Sequence, residues 1–317
     1  MTDPYNVVLQ EKNVSLSQRF NQMMKLEKIK WAKKSRQAWT QLGDKNNRYF
    51  QMIALNRMRK NKTWKIWNSE GIWFDNQNEI ANVFINDFSK RFTSENLIIN
   101  QELFYSFSPC ITKEENRELI KDVIEVEIHA ALSQINSLKA PALDGLQASF
   151  YQKYWKIIGK SVCKMVKALF YNGHMLKEIN RTFITLIPKS DNPKSSNHYK
   201  PINLCNVCYQ IIAKILANRV KPLINKIVSP LQGAFALGRL INDNVLLAHE
   251  IMHLFKKKKV KSSYMAIKLD MEKTYDRLEW DFIRILLSNL GFHPKWIEWV
   301  MECISTLSYS ILINSIL

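Results

Sequence analysis

The chain has 317 residues, with 46 Lys and Arg against 28 Asp and Glu, a formal charge of +18, and 46% hydrophobic and 11% aromatic residues. This composition excludes a disordered chain, a collagen-like fibre and a small disulfide scaffold, and the length provides for one large domain or two ordinary ones. So large a cationic surplus opposes compaction through self-repulsion, and it points to a polyanionic partner, nucleic acid first and an acidic membrane surface second.

From Val14 to Leu42 the residues Leu16, Phe20, Met23, Met24, Ile29, Ala32 and Trp39 recur at helical spacing, and Gly43-Asp44 supplies a stop. The spacing predicts a long basic helix. Its other positions carry Arg19, Lys25, Lys28, Lys30, Lys33, Lys34 and Arg36 beside Trp31 and Trp39. Such a stripe suits phosphates and exposed base faces, and a solvated amphipathic face is the alternative reading. A second basic cluster, Arg57, Arg59, Lys60 and Lys62, precedes two strand-like runs, Thr63 to Trp67 and Gly71 to Trp73, around an Asn68-to-Gly71 turn. Ile80, Phe84, Phe88 and Phe92, four apart, predict one buried helix face. The pattern loosens between Ser94 and Pro109, which is the expected module boundary.

Further on, helices are expected over Val126–Asn136, Ala148–Tyr171 (closed by Asn172-Gly173), Val207–Lys221 (ended by Pro222) and Ile241–Phe255. Two more are expected near Asp281–Leu290 and Pro294–Cys303. Strands are expected over Thr182–Pro188, Tyr264–Asp270 and Tyr309–Asn314. Helices dominate, no internal repeat is present, and the expected fold class is α+β. No apolar run approaches the ~18 residues of a membrane span, and the opening Met1-Thr2-Asp3-Pro4 lacks the regions of a secretory signal. The expectation is an intracellular protein that does not enter a membrane. Its five scattered cysteines read as reduced thiols.

Chemistry centres on Lys268 to Asp276. An Asp such as Asp270, at the end of a largely apolar strand, is desolvated unless a cation meets it, so a divalent metal or a basic partner is expected there; a strand-end cap or salt bridge is the structural alternative. Cys205-Asn206-Val207-Cys208 has C-x-x-C spacing, but zinc needs four ligands and no second pair lies nearby, which leaves a structural role. His249 and His253, four apart on a helix, lack a visible third ligand. Lys256 to Lys259 reads as a solvated loop, with a nuclear localisation signal or a phosphate contact as the alternatives.

Five blocks, read together, carry more. They are Lys139 to Gly145, Leu186-Ile187-Pro188-Lys189, Tyr199 to Leu204, Gln232 to Arg239, and the Asp270 segment. Their order and spacing resemble the reverse transcriptases of non-LTR (LINE-type) retrotransposons, especially those of plants. Upstream, Lys34 to Trp39 with Gly43 to Asn46, and then Gly71-Ile72-Trp73, resembles the segment that joins endonuclease to polymerase in these elements. The resemblance covers most of residues 30 to 317.

It implies a helix-rich N-terminal extension over residues 1–100 that binds template, fingers over 101–262, and an incomplete right-hand palm over 263–317. It implies an RNA-directed DNA polymerase acting on an RNA template, a DNA primer and deoxynucleoside triphosphates with two Mg²⁺ ions, in the nucleus of a cell. By resemblance Asp270 is the first metal-binding carboxylate, with the Met271 carbonyl as a further ligand, and Tyr275 is the aromatic gate against a ribose 2′-hydroxyl. Lys189 and Lys200 would grip the triphosphate, while Lys33, Lys34, Arg36, Arg57, Arg59, Lys60 and Arg239 would hold template.

The chain departs from the family pattern in several places. Lys200 stands where Arg is usual, and Lys cannot form a bidentate fork on phosphate. Ala142, Leu237 and Thr274 replace the usual Gly, Pro and Ala. No Asp-Asp pair occurs in the sequence, whereas the family places one downstream of the Asp270 segment, and the Gln-Gly block and the thumb are likewise missing. The expectation is a truncated reverse transcriptase, inactive alone, with Glu272, Asp276 and Asp281 poor substitutes for the absent carboxylates. The rival reading is a non-catalytic nucleic-acid-binding remnant.

Overall fold

The computed structural model describes residues 4–35, 47–94, 98–233, 238–257, 265–267 and 274–314, and in some helical residues the backbone alone. The helices are α1 (Pro4–Ser35), α2 (Asn47–Asn61), α3 (Gln77–Phe92), α4 (Lys113–Leu119), α5 (Glu125–Ser133), α6 (Ala148–Lys153) and α7 (Trp155–Asn172). They continue with α8 (Val207–Val220), α9 (Ile224–Ile227), α10 (Ile241–Lys257), α11 (Trp280–Asn289) and α12 (Pro294–Ser305). Strands β1 (Ile66–Trp67) and β2 (Trp73–Phe74) form a hairpin, while β3 (Arg181–Pro188), β4 (Tyr199–Leu204) and β5 (Ser308–Leu312) form a sheet in the order β4-β3-β5. The class is α+β and helix-rich.

Two compact units emerge. One holds the described residues of 1–83, 186–202 and 312–317, and the other those of 84–185 and 203–311.

In the first unit, α1 packs on α2, and the hairpin is set by its turn. Asn68 Oδ1 accepts from the N–H groups of Glu70 (3.0 Å) and Ile72 (2.9 Å), and Gly71 takes φ +81°, a left-handed conformation that favours glycine. The register pairs Ile66 with Phe74 and Trp67 with Trp73. Trp67 N–H donates to Lys194 O at 2.8 Å, which ties the hairpin to the segment between β3 and β4. Phe50, Ile66, Ile80 and Tyr199 are buried in this unit.

The second unit is a helical core. Ile128 and Leu132 of α5, Val166 and Leu169 of α7, Ile211 and Ile215 of α8, and Trp296 and Trp299 of α12 are all removed from water, and each full burial of such a side chain contributes about 1.5–3 kcal/mol. Local signals mark helix ends in this unit. Thr112 Oγ1 accepts from Glu115 N–H (3.2 Å) while Thr112 N–H donates to Glu115 Oε2 (2.9 Å), a capping box that starts α4. Gly173, at φ +75°, closes α7 with its N–H on Leu169 O at 2.7 Å.

The structure corrects the sequence reading at several elements. The first helix begins at Pro4, ten residues before its periodicity, and the expected stop at Gly43 lies outside the described residues. The single helix expected over 148–171 is two, broken at Tyr154 (φ −101°, ψ 18°), whose N–H still reaches Phe150 O at 3.0 Å. Trp155 then lies over Gly159, where a β-carbon would sit 2.9 Å from the indole, and it meets His129 at 5.0 Å between rings. Pro222 does not terminate α8 outright: a 3-10 turn over Lys221–Leu223 carries the chain into α9. Helices α2 and α4 and strand β4 were not anticipated. Of the strand expected over 264–270 only 265–267 are described, without regular structure.

Candidate nucleic-acid and nucleotide site

Lys200 lies in β4, and Lys189 directly follows the last residue of its neighbour β3. Between them the chain folds back on itself. Lys189 N–H donates to His198 O (2.8 Å), Lys189 Nζ to Asn197 O (2.9 Å), and Lys194 N–H to His198 Nδ1 (3.0 Å). The loop is thereby held in one shape by its own groups, with the Lys200 ammonium exposed beside it. One ammonium of the expected pair is engaged by a carbonyl and the other faces solvent.

Arg57, Arg59 and Lys60 are exposed on the last turns of α2. Lys60 Nζ lies 3.4 Å from Asp191, with both side chains largely in water, so the pair contributes at most about 1 kcal/mol and leaves the lysine available to phosphate. Lys34 Nζ sits 5.2 Å above the Trp31 ring, whose Nε1 donates to Glu27 at 3.3 Å. Lys33 belongs to α1, its side chain outside the described residues, and Arg36 is not described.

Arg239 has a different local role from its neighbours in the list of expected contacts. Its guanidinium donates to the carbonyls of Ser229, Gln232 (2.8 Å) and Val228 (3.3 Å) and to Asn225 Oδ1 (3.3 Å). Those bonds shape the loop that precedes α10.

Asp270 and Met271 lie outside the described residues, and Tyr275 is described only by its backbone, in the 3-10 turn Thr274–Arg277. Next to it, Asp276 stands 4.0 Å from Arg91, whose guanidinium also covers the Phe88 ring at 4.7 Å. Asp281 occupies the first turn of α11. Asp276 is thus held near an arginine and Asp281 sits at a helix start, while Glu272 is not described. Among the described residues no group of three or more His, Cys, Asp or Glu side chains could hold a metal. His249 and His253 are exposed on α10.

Cys205 and Cys208 flank Asn206, the cap of α8. Thr182 Oγ1 donates to Cys205 Sγ (3.5 Å), and Cys208 Sγ to Tyr151 Oη (3.9 Å), which in turn donates to Asp144 Oδ2 (3.2 Å). Burial pushes the Cys208 thiol up to about 11 and raises Cys205 as well. Protonated thiols in a core are poor metal ligands.

Sequence reasoning passed over the hairpin aromatics. Lys62 Nζ lies 3.7 Å over the Trp64 ring, Lys194 Nζ 5.4 Å over Trp67, and Trp67 meets Trp73 edge-on at 5.0 Å. A visible signal was the interleaving of tryptophan and lysine from Lys62 to Trp73; the partnership with Lys194 carried none.

Two comparisons with known proteins bear on the class. Residues 187–315 match the family model described as reverse transcriptase (RNA-dependent DNA polymerase), a span that contains β4, the Arg239 loop, the Asp270 segment and β5. A Xenopus laevis protein described as "Transposon TX1 uncharacterized 149 kDa protein" is 24% identical over 209 residues. That match covers 64% of this chain and 16% of the relative's length, so the chain spans a small part of that protein. Residues 187–315 are thus similar to a reverse transcriptase domain, and the chain is similar to a part of a transposon protein.

Proposed function

We propose that the chain supplies the template-binding extension, fingers and first palm segment of a non-LTR reverse transcriptase. In this reading residues 1–100 hold template, 101–262 form the fingers and 263–317 begin the palm. The observation that carries it is that Lys200 lies in β4 and Lys189 at the end of the neighbouring strand β3, near the start of the matched span. Two cations so placed can meet the phosphates of a deoxynucleoside triphosphate, where positive charge offsets charge developing in the transition state.

Asp270 and the Met271 carbonyl are hard oxygen donors, the type Mg²⁺ prefers, and would hold it. When bound, the metal stabilises the phosphoryl oxygens during nucleotidyl transfer. With no Asp-Asp pair in the sequence, this chain offers one of the carboxylates that a two-metal site uses. The remaining residues act by binding and orientation: Arg57, Arg59 and Lys60, with Lys33, Lys34 and Arg36, contact the RNA backbone, Arg239 shapes the loop beside it, and Tyr275 excludes a 2′-hydroxyl. No described helix is long and apolar enough to cross a membrane, and copying into chromosomal DNA would set the work in the nucleus.

The exposed cations on the last turns of α2 carry the second reading, a nucleic-acid-binding protein without chemistry. Primer extension on an RNA template with Mg²⁺ and deoxynucleotides, beside an Asp270→Ala control, separates the two. The isolated chain is expected to bind RNA and not to extend. Extension abolished by the control would show that the metal site assembles without an Asp-Asp turn; failure to bind RNA at any salt concentration would remove both readings.

A further inference from the structure

Trp64 is 63% and Trp73 50% exposed, in a chain that buries Trp296 and Trp299 almost completely. Leaving an indole in water forgoes the burial that usually places tryptophan inside, so two around one hairpin, Trp64 two residues before β1 and Trp73 in β2, call for an occupant. Their setting says which. From Arg57 to Ser69 the sequence has five cations and no acid. Lys62 holds its ammonium 3.7 Å from one face of Trp64, and Trp67 is gripped by the Lys194 carbonyl and ammonium, which fixes the strand that Trp73 pairs with.

We infer that this hairpin is a stacking site for unpaired nucleotides, with the Trp64 and Trp73 rings as platforms for bases and the Lys62 and Lys194 ammoniums for the flanking phosphates. An indole offers a π-face that any base can use, and a cation beside it meets the phosphate that every stacked base carries. A paired base has both faces occupied in its helix, so the site discriminates single strands from duplex without reading sequence. Stacking and phosphate contact are common to both sugars, so RNA and DNA single strands are expected to bind alike. Lysine flanks argue against a dry protein interface, whose centre is depleted of lysine. The inference deepens the template-binding reading above and rests on it.

The test is fluorescence anisotropy with labelled single-stranded RNA and DNA oligonucleotides, an abasic oligonucleotide of equal length, a duplex, and anionic phosphatidylserine vesicles as competitor. The intact chain should bind the single strands more tightly than the abasic strand. In Trp64→Ala/Trp73→Ala that preference should vanish, with about a tenfold loss or more for base-bearing strands and none for the abasic one. The Phe/Phe double variant, which keeps two π-faces and controls for folding, should retain most of it. Equal binding of abasic and base-bearing strands by the intact chain, with steep salt dependence, would overturn the stacking site and leave the template reading in place. An equal loss for both strands on alanine substitution, or displacement by vesicles at lower concentration than by single strands, would also overturn it. No binding of any nucleic acid would overturn both.

Discussion

Thr63 and Asn314, 251 positions apart, pair as two strand residues would. Asn314 Oδ1 accepts from Thr63 N–H at 2.8 Å, and Asn314 Nδ2 donates to Thr63 O at 3.0 Å and to Gln77 Oε1 at 2.9 Å. Gln77 Nε2 donates to Ile313 O at 3.3 Å. A side-chain amide thus satisfies the backbone of a buried residue just before the hairpin. Asn314 adopts φ +54°, the left-handed region that Asn tolerates better than other residues with a β-carbon.

Replacing Asn314 with Ala should leave a buried Thr63 N–H unsatisfied and cost about 2–4 kcal/mol in the unit that holds the hairpin. Asn314→Gly loses the same hydrogen bonds but relieves the backbone, so it should be milder by about 1 kcal/mol. Hydrogen exchange at the Thr63 amide reads this directly, with faster exchange in both variants and fastest in Ala. Unchanged protection would mean that the amide is satisfied otherwise.

Arg219 ties α8 to two earlier elements. Its Nε and Nη2 form a fork on Glu127 at 2.8 Å each, while Nη1 donates to Leu119 O (2.9 Å) and Lys121 O (2.7 Å). The arginine side chain is 9% exposed. Arg219→Ala should cost about 3–5 kcal/mol, since it strands a carboxylate and two carbonyls, and Arg219→Lys should recover only part because an ammonium cannot span four acceptors in a fork. Urea midpoints of the two variants order the effects; a lysine variant as stable as the parent would refute the fork's importance.

Alkaline pH should weaken the second unit. Burial pushes Cys208 up to about 11 and Cys303 up to about 12. The unfolded thiols ionise nearer their ordinary value, so the stability held below that value is lost as pH climbs through the folded ones. Thermal melts between pH 8 and pH 11 should fall steadily, and Cys208→Ala should flatten part of the slope while costing stability at neutral pH. In the native chain at pH 8.5, Ellman's reagent should react with neither Cys208 nor Cys303, and with all five thiols after denaturation. Rapid labelling of either buried thiol without unfolding would contradict the packing.

The basic turn of α2 should be read by salt. If Arg57, Arg59 and Lys60 each neutralise one phosphate, the triple alanine variant should reduce the slope of log affinity against log salt for single-stranded RNA by about 2, at roughly 0.7 per contact. The Asp191→Ala variant, freeing Lys60 from its exposed partner, should leave the slope unchanged or raise it slightly. A triple variant with the parental slope would place the phosphate contacts elsewhere.

The local sequence determined much of what is seen. Asn68 and Gly71 wrote the hairpin turn, Thr112 and Glu115 a capping box, Gly173 the end of α7, and the four-residue spacing of Ile80, Phe84 and Phe88 the buried face of α3, because each device acts within one turn of chain. Lys189, Lys200 and the Asp270 segment were legible as a family pattern for the same reason: their spacing lies in the sequence. Phe92, assigned to the same stripe, emerges 39% exposed.

What the tertiary structure alone decided involves partners far apart in the chain. His129, 26 residues before Trp155, meets its ring at 5.0 Å, a partner that the local sequence does not announce. Arg239 reads as one more cation until three carbonyls and an amide oxygen claim it, and Asn314 reads as a strand end until Thr63 arrives from 251 positions away. The C-x-x-C spacing already read as structural for want of further ligands, and burial beside Thr182 and Tyr151 is what raises those two thiols. Hydrogen-bond satisfaction and desolvation depend on every group within a few ångströms, and no periodicity records who those neighbours are.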